Sequence, residues 1–160
     1  MTIIDIVEFE IGNEHYALDI NLAREIVEMV EITPVPRAPD IIAGIINLRG
    51  EITNIINLSH ILNLKEKNER KEQKIIVLVP EAAEGSNVGI IVDDVQSVLQ
   101  VSGEDIEAIK GDLAGDAYVR GVIKVPDSSA TDDSDKSKKL IIWLDIGELL
   151  HDMLESAKRR

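Results

Sequence analysis

The chain consists of short runs rich in Ile and Val, separated by turn-forming residues, and this pattern limits what it can fold into. Val7, Phe9 and Ile11 alternate with acidic residues, which predicts a strand with one solvated face. Residues 12–14 (Gly-Asn-Glu) predict a hairpin turn, and the alternation resumes over residues 16–20. Because β-branched residues favour pleated strands, we expect further strands at 44–48, 51–58, 75–79, 88–95, 97–101, 119–125 and 140–144. Roughly nine or ten short strands predict an all-β barrel or sandwich.

Three segments depart from the strand pattern. Apolar residues from Ile146 to Leu154 recur at helical spacing, which predicts a C-terminal amphipathic helix. Asp19 or Asn21 could cap a short helix over residues 22–27. Residues 126–139 contain no large apolar side chain, so we expect a mobile acidic surface loop there.

Composition excludes several classes of function. The formal net charge is −13 and aromatic residues are 2% of the chain, so a basic or base-stacking nucleic-acid surface is not expected. The absence of Cys excludes disulfides and thiolate metal sites. The N-terminus lacks a signal-peptide pattern, and no apolar run approaches the ~20 residues of a membrane helix. We therefore expect a cytoplasmic protein that does not insert into the membrane.

No motif for catalysis or for a cofactor can be found. The three histidines, His15, His60 and His151, have no metal-ligand spacing, and a surface or half-buried role is the simpler interpretation of each. Asp93 and Asp94 are adjacent in a predicted strand and should point to opposite faces, so they cannot easily share a proton or a metal. We predict that the chain is not an enzyme and holds neither a cofactor nor a metal.

The segment from Pro36 to Leu58 carries the most information. It predicts a constrained connector, a strand, a tight turn at Arg49-Gly50 and a second strand. Arg49 has two interpretations of about equal weight. It is either a solvated turn residue or a rigidly presented anchor, since arginine is favoured at interfaces for planar pairing with carboxylates.

This segment resembles the hallmark of the CheW-like family, and the resemblance covers nearly the whole chain. The run from Gly44 to Gly50 (Gly-Ile-Ile-Asn-Leu-Arg-Gly) is its centre. Other segments are similar to the opening hairpin of the family, the element after it, its second signature, and its closing strand and helix: residues 9–20, 23–27, 88–99, 118–121 and 140–150.

The resemblance implies two five-stranded SH3-like barrels that share a core, with short helices and the C-terminal helix. We expect a single domain over residues 1–160, built of two intertwined barrel subdomains that divide near residues 65–75 and involve both termini. It also implies a non-enzymatic adaptor that couples chemoreceptors to a CheA-type histidine kinase in chemotaxis. The expected partners are the regulatory domain of the kinase, helices of the receptor tips lying in the groove between barrels, and other CheW-like domains in array rings. The protein would be cytoplasmic and recruited to membrane-associated receptor arrays.

By the same resemblance, certain residues are candidates for partner binding. Asn47, Leu48, Arg49, Gly50 and Val98 are expected at the receptor site, and Glu25 at a site whose partner is left open. Gly44 and Gly89 are structural or interface glycines, and backbone geometry is the simpler interpretation because strand glycines often mark bulges. The alternative to an adaptor is a divergent or detached regulatory barrel of a CheA- or CheV-type protein. The chain ends at Arg160 without a receiver or ATP-binding segment, which we take to favour the stand-alone form.

Overall fold

The computed structural model describes residues 3–107, 118–126 and 138–158. In these residues the chain forms eleven strands and two α-helices, joined by short 3-10 turns. Their bounds are β1 (Ile3–Ile11), β2 (Glu14–Asp19), β3 (Ala23–Glu28), β4 (Ile42–Leu48), β5 (Glu51–Ile56), α1 (Leu58–Ile61), β6 (Lys74–Leu78), β7 (Val88–Val92), β8 (Asp94–Ser102), β9 (Ile106–Glu107), β10 (Val119–Pro126), β11 (Lys138–Leu144) and α2 (Ile146–Lys158). The predicted strands and the C-terminal helix are present.

The strands form two sheets with the same pairing pattern. One sheet has the order β8-β1-β2-β11-β10-β9, and the other has the order β3-β6-β7-β5-β4. In each sheet one pair is parallel, β2 with β11 in the first and β5 with β7 in the second, and the other pairs are antiparallel. Because β9 follows β8 after a single 3-10 turn, the two can be counted as one interrupted strand, which gives five strands in each sheet.

The chain changes sheets twice. It leaves the first sheet through the 3-10 turn at Ile20–Leu22 and returns at the junction between β7 and β8, around Asp93. Residues 65–75, where the sequence places a division, lie within the five-stranded sheet's half of the chain: 65–73 precede β6, and Lys74 and Ile75 are its first two residues. At one end of the described chain β1 belongs to the first sheet. At the other end β11 belongs to the same sheet and is followed by α2.

Three apolar clusters account for the core. One lies within the six-stranded sheet and includes Ile6, Ile123 and Trp143; a second lies within the five-stranded sheet and includes Ile55 and Ile75. The third and largest takes residues from both sheets and from α2, and we call it the shared core. Burial of this aliphatic surface is the main driving force for folding. The predicted fold class, two barrels sharing a core with short helices and an amphipathic C-terminal helix, is confirmed.

The two sheets correspond residue by residue. In the five-stranded sheet Gly44 pairs with Ile55, and Ile55 pairs with Gly89; in the six-stranded sheet Gly121 pairs with Trp143, and Trp143 pairs with Ala17. Register irregularities follow the same correspondence. One irregularity precedes Gly44 in β4, and its counterpart precedes Gly121 in β10. Another lies between Ala23 and Glu25 of β3, and its counterpart in β8 lies opposite Glu8 and Phe9 of β1. The chain therefore contains two structurally equivalent halves.

Each sheet closes by the same device. Thr33, in the connector after β3, makes an antiparallel bridge to Ile45 of β4, with both N···O distances 2.9 Å. In the other sheet β9, which follows β8, pairs with β10 at Val122 and Ile123. The segment that extends one edge strand thus pairs with the opposite edge, which curls each sheet into a barrel.

The predicted helix over residues 22–27 is wrong, since residues 23–28 form β3. Ile26 and Val27 are β-branched, and they pair with Ile76 and Ile75 of β6, so tertiary pairing decides the conformation. Asp19 makes no capping bond. Its carboxylate instead accepts hydrogen bonds from the Trp143 indole at 2.6 Å and from Arg120 at 3.1 Å.

Asp93 ties the two halves together at the second crossing. Its carboxylate accepts hydrogen bonds from the backbone N–H of Gly12 at 2.6 Å, of Lys67 at 2.9 Å and of Asn68 at 3.0 Å. Burial by itself raises the pKa of this carboxyl, but the three backbone donors and Gln73 outweigh that effect and hold the pKa below its usual range. Asp94 points elsewhere and pairs with Lys74 at 2.8 Å, so the two carboxylates do not form a site.

The predicted acidic loop at 126–139 falls mostly outside the described residues, because positions 127–137 are not among them.

Candidate partner-binding site

The β4–β5 turn presents Arg49 at a fixed position. Leu48 pairs with Glu51, so the loop consists of Arg49 and Gly50 alone. Their φ angles of 51° and 88° are both positive, which is the geometry of a two-residue type I′ hairpin turn. The Asn47 side-chain oxygen accepts a hydrogen bond from the Gly50 N–H at 2.8 Å and braces the turn. Arg49 itself leaves 62% of its side chain exposed.

The Arg49 guanidinium donates to the carboxylate of Glu25 on β3. Because β3 and β4 are the two edge strands of the five-stranded sheet, this ion pair spans the closure of the barrel. Glu25 pairs with Val77, and residues opposed in an antiparallel ladder share a face. The Glu25 side chain is therefore on the face of β3 that borders the apolar cluster within the five-stranded sheet, which we call the inner core. The structure thus brings together two candidate residues that are 24 positions apart.

Two further charges extend this ion pair into a network. Arg24 lies 3.5 Å from Glu51 and 4.0 Å from Glu25. With 40% of the Arg24 side chain and 54% of the Glu51 side chain exposed, water screens these contacts, and each contributes at most about 1 kcal/mol. Sequence reasoning missed both residues, although one precedes Glu25 directly and the other follows the turn. The network therefore orients Arg49 more than it stabilises the fold.

The other candidate residues around the turn lie on different faces of the five-stranded sheet. Leu48 packs against the inner core of the five-stranded sheet. Asn47 is exposed and pairs with Ile52, which is 56% exposed on the outer face. Asn47 and Gly50 shape the turn, Leu48 anchors it, and Arg49 is the group presented to a partner.

Val98 lies in the other sheet, on edge strand β8. It pairs with Val7, a member of the shared core, so its side chain is on the face of the sheet that borders that core. It is nevertheless 55% exposed. Val98 and the Arg49 turn belong to different halves of the fold.

Gly44 and Gly89 fit the structural interpretation. A Cβ on Gly44, whose φ is +151°, would lie 2.3 Å from the carbonyl oxygen of Thr33, the residue that closes the barrel. A Cβ on Gly89 would lie 2.8 Å from Ile75 Cγ2 and 3.1 Å from Ile55 Cδ1, inside the inner core. Both positions exclude a side chain for packing reasons alone.

Within the described residues, one set of side chains has a spacing that suits a metal. Ligand atoms of Glu84, His151 and Glu155 lie within 4.8 Å of one another at the surface. The hydrogen bond between His151 and Glu84 raises the pKa of the imidazole. Sequence spacing did not indicate this group, since Glu84 comes from a distant turn.

Among the helices that the structure describes, none has the length and apolar character needed to cross a membrane.

Comparison with known proteins identifies the family. The family model for the CheW-like domain matches residues 5–153. The chemotaxis protein CheW of Treponema pallidum is 36% identical over 122 residues, which cover 74% of this chain and 72% of that protein. The chemotaxis protein CheW of Thermotoga maritima is 30% identical over 149 residues, which cover 93% of this chain and 89% of that protein.

A solved structure gives the same result. The crystal structure of the scaffolding protein TtCheW from Thermoanaerobacter tengcongensis matches with a TM-score of 0.71 and 33% sequence identity, covering 89% of each chain. The match extends over both halves of the fold described above.

Proposed function

The chain belongs to the CheW-like family of chemotaxis adaptors, which are not enzymes, and we propose that it couples the cytoplasmic tips of chemoreceptors to a CheA-type histidine kinase. In this proposal the receptor site is built around Arg49, with Asn47, Leu48 and Gly50 shaping it and Val98 contributing from the other half. Glu25 acts through Arg49.

The ion pair between Arg49 and Glu25 carries this proposal. Two residues selected for partner binding, far apart in the sequence, meet at one exposed point. Arginine pairs with carboxylates through a planar set of donors, so a receptor carboxylate can compete with Glu25 for the guanidinium. The turn holds Arg49 in place before binding, which lowers the entropy that association costs.

The mechanism is geometric. An adaptor that holds receptor and kinase at once raises their effective concentration, so that a conformational change in one is transmitted to the other. The receptor contributes a helix that lies in the groove between the two barrels. The kinase contributes its regulatory domain, which is homologous to this chain, and other CheW-like domains extend the assembly into rings.

This function sets the protein on the cytoplasmic side of the membrane, recruited to receptor arrays through its partners. It requires neither nucleic acid nor insertion into the bilayer. The net charge of −13 accords with that, since such a surface is repelled by anionic lipid headgroups. Two barrel subdomains within one domain give the two partners separate faces.

A pull-down with purified components tests the proposal. The chain is mixed with a receptor tip fragment, with the kinase regulatory domain, and with both. We expect binding to each alone and a ternary complex with both. Binding to neither partner would overturn the proposal, and binding to only one would show that the chain does not act as a coupler.

A further inference from the structure

The surface cluster formed by Glu84, His151 and Glu155 draws on both halves of the fold. Glu84 directly follows the 3-10 turn Pro80–Ala83, which lies between β6 and β7 of the five-stranded sheet. His151 and Glu155 lie on α2, which follows β11 of the six-stranded sheet. His151 Nδ1 is 2.7 Å from Glu84 Oε1, although the two residues are 67 positions apart in the sequence.

Packing beneath the surface cluster fixes the backbone that carries it. Ala83 directly precedes Glu84 and is 0% exposed in the shared core. Leu150 directly precedes His151 and is 1% exposed in the same core. His151 and Glu155 are one helical turn apart on α2, so their side chains are neighbours on one face of the helix. Two ligands on a helix and a third beside a buried turn residue give a preorganised set, in which only side chains need to move.

The donor atoms of the surface cluster are one imidazole nitrogen and carboxylate oxygens. This mixed set suits Zn²⁺, whereas Mg²⁺ and Ca²⁺ prefer oxygen ligands alone and in larger number. Ligand atoms bound to a tetrahedral zinc ion at about 2.1 Å are about 3.4 Å from one another. One pair is already 2.7 Å apart and all three ligand atoms lie within 4.8 Å, so rotation of the exposed side chains can complete the geometry.

We propose that Glu84, His151 and Glu155 bind one Zn²⁺ ion, with water in the remaining position, and that the ion fastens α2 to the turn before β7. The folded chain brings the three ligands together from distant positions, and the unfolded chain does not. Zinc binding therefore stabilises the folded state and links the two halves. The proposed site goes beyond coupling of receptor and kinase, since it needs neither partner.

Titration of the EDTA-treated chain with ZnCl₂ tests the proposal. Isothermal titration calorimetry should give one ion per chain. At a free zinc concentration about 100 times the dissociation constant, the melting temperature should rise by about 5–10 °C, and EDTA should reverse the rise. MgCl₂ at the same concentration should leave the melting temperature unchanged, because the imidazole is a poor ligand for magnesium. An equal rise with MgCl₂ would count against a zinc site.

Two variants remove ligands at the surface of the protein. His151→Gln and Glu84→Gln should each weaken zinc binding about tenfold or more and abolish the zinc-dependent rise in melting temperature. The matched controls are His60→Gln, at an exposed histidine of α1, and Glu81→Gln, at an exposed glutamate of the same 3-10 turn. Both controls should bind zinc within about twofold of the wild type, since surface substitutions away from a site have small effects.

The outcomes are separable from those of the proposed function, because no measurement includes a receptor or a kinase. Zinc binding that is lost in His151→Gln and Glu84→Gln and retained in both controls supports the proposal. No zinc binding by the wild-type chain overturns it. Wild-type zinc affinity in His151→Gln also overturns it, since the ion then binds elsewhere. If a variant melts at a lower temperature without metal, calorimetry at 25 °C on the folded variant decides between these outcomes.

Discussion

Arg49 and Glu25 form an ion pair across the closure of the five-stranded barrel, linking the β4–β5 turn to strand β3. Neither residue is buried, since 62% of the arginine side chain and 25% of the glutamate side chain are exposed. Solvent screening therefore limits what the pair contributes to stability, and its effect is to fix where the guanidinium points.

Replacing Arg49 separates its contribution to stability from its contribution to receptor binding. Arg49→Asp removes the cation and sets a second carboxylate beside Glu25, so we expect loss of co-sedimentation with the receptor. The free energy of unfolding should fall by no more than about 1 kcal/mol, and far-UV circular dichroism should be unchanged. Lys71→Asp, a charge reversal at a side chain that is 79% exposed, is the control and should still co-sediment. If Arg49→Asp unfolds, Arg49 is a structural turn residue and the anchor interpretation is wrong.

Gly44 and Gly50 both have positive φ, but only Gly44 has no room for a side chain. A Cβ at Gly44 meets the backbone oxygen of Thr33 at 2.3 Å, so Gly44→Ala must displace the strand closure and should cost about 3 kcal/mol. Around Gly50 no atom lies within 4 Å, so Gly50→Ala should cost only the backbone strain, about 1 kcal/mol. Urea unfolding of both variants checks the order, and equal losses would contradict the steric argument.

Asp93 should make stability depend on acid pH. Its folded pKa lies below the unfolded value, so its contribution is fully present above the unfolded pKa and is lost as the pH falls through the folded pKa. At neutral pH, Asp93→Asn should lower the free energy of unfolding by about 2 kcal/mol, because an amide cannot accept all of these hydrogen bonds. The difference between wild type and variant should shrink below about pH 4.

Asp94→Asn is the matched control for Asp93. Its side chain is 45% exposed and pairs with Lys74, so its replacement should cost less than about 1 kcal/mol. Fluorescence of Trp143, the single tryptophan of the chain, follows unfolding in every variant. A stability difference at Asp93 that does not change between pH 7 and pH 3 would contradict the linkage.

Much of the fold could be predicted because its strands are encoded locally. Alternation and β-branched residues predict β1 and β2. The Arg49-Gly50 pair predicts a tight turn, and both residues have the positive φ angles that such a turn requires. The helix predicted at residues 22–27 failed where a local signal competed with pairing to β6. The strand predicted over residues 51–58 ends at Ile56, and Leu58 instead begins α1, a short helix without a side-chain capping hydrogen bond from Asn57.

Local sequence specifies which residues are chemically able to form the candidate site: one arginine in a two-residue turn, with a glycine beside it to accept the positive φ. Long-range packing sets which side chain that arginine meets, because Glu25 lies on an edge strand that reaches the turn only when the sheet has curled and closed through Thr33. The correspondence between the two sheets is likewise set by the tertiary structure. It is a property of pairing register, which is set by long-range contacts between strands and not by any local pattern.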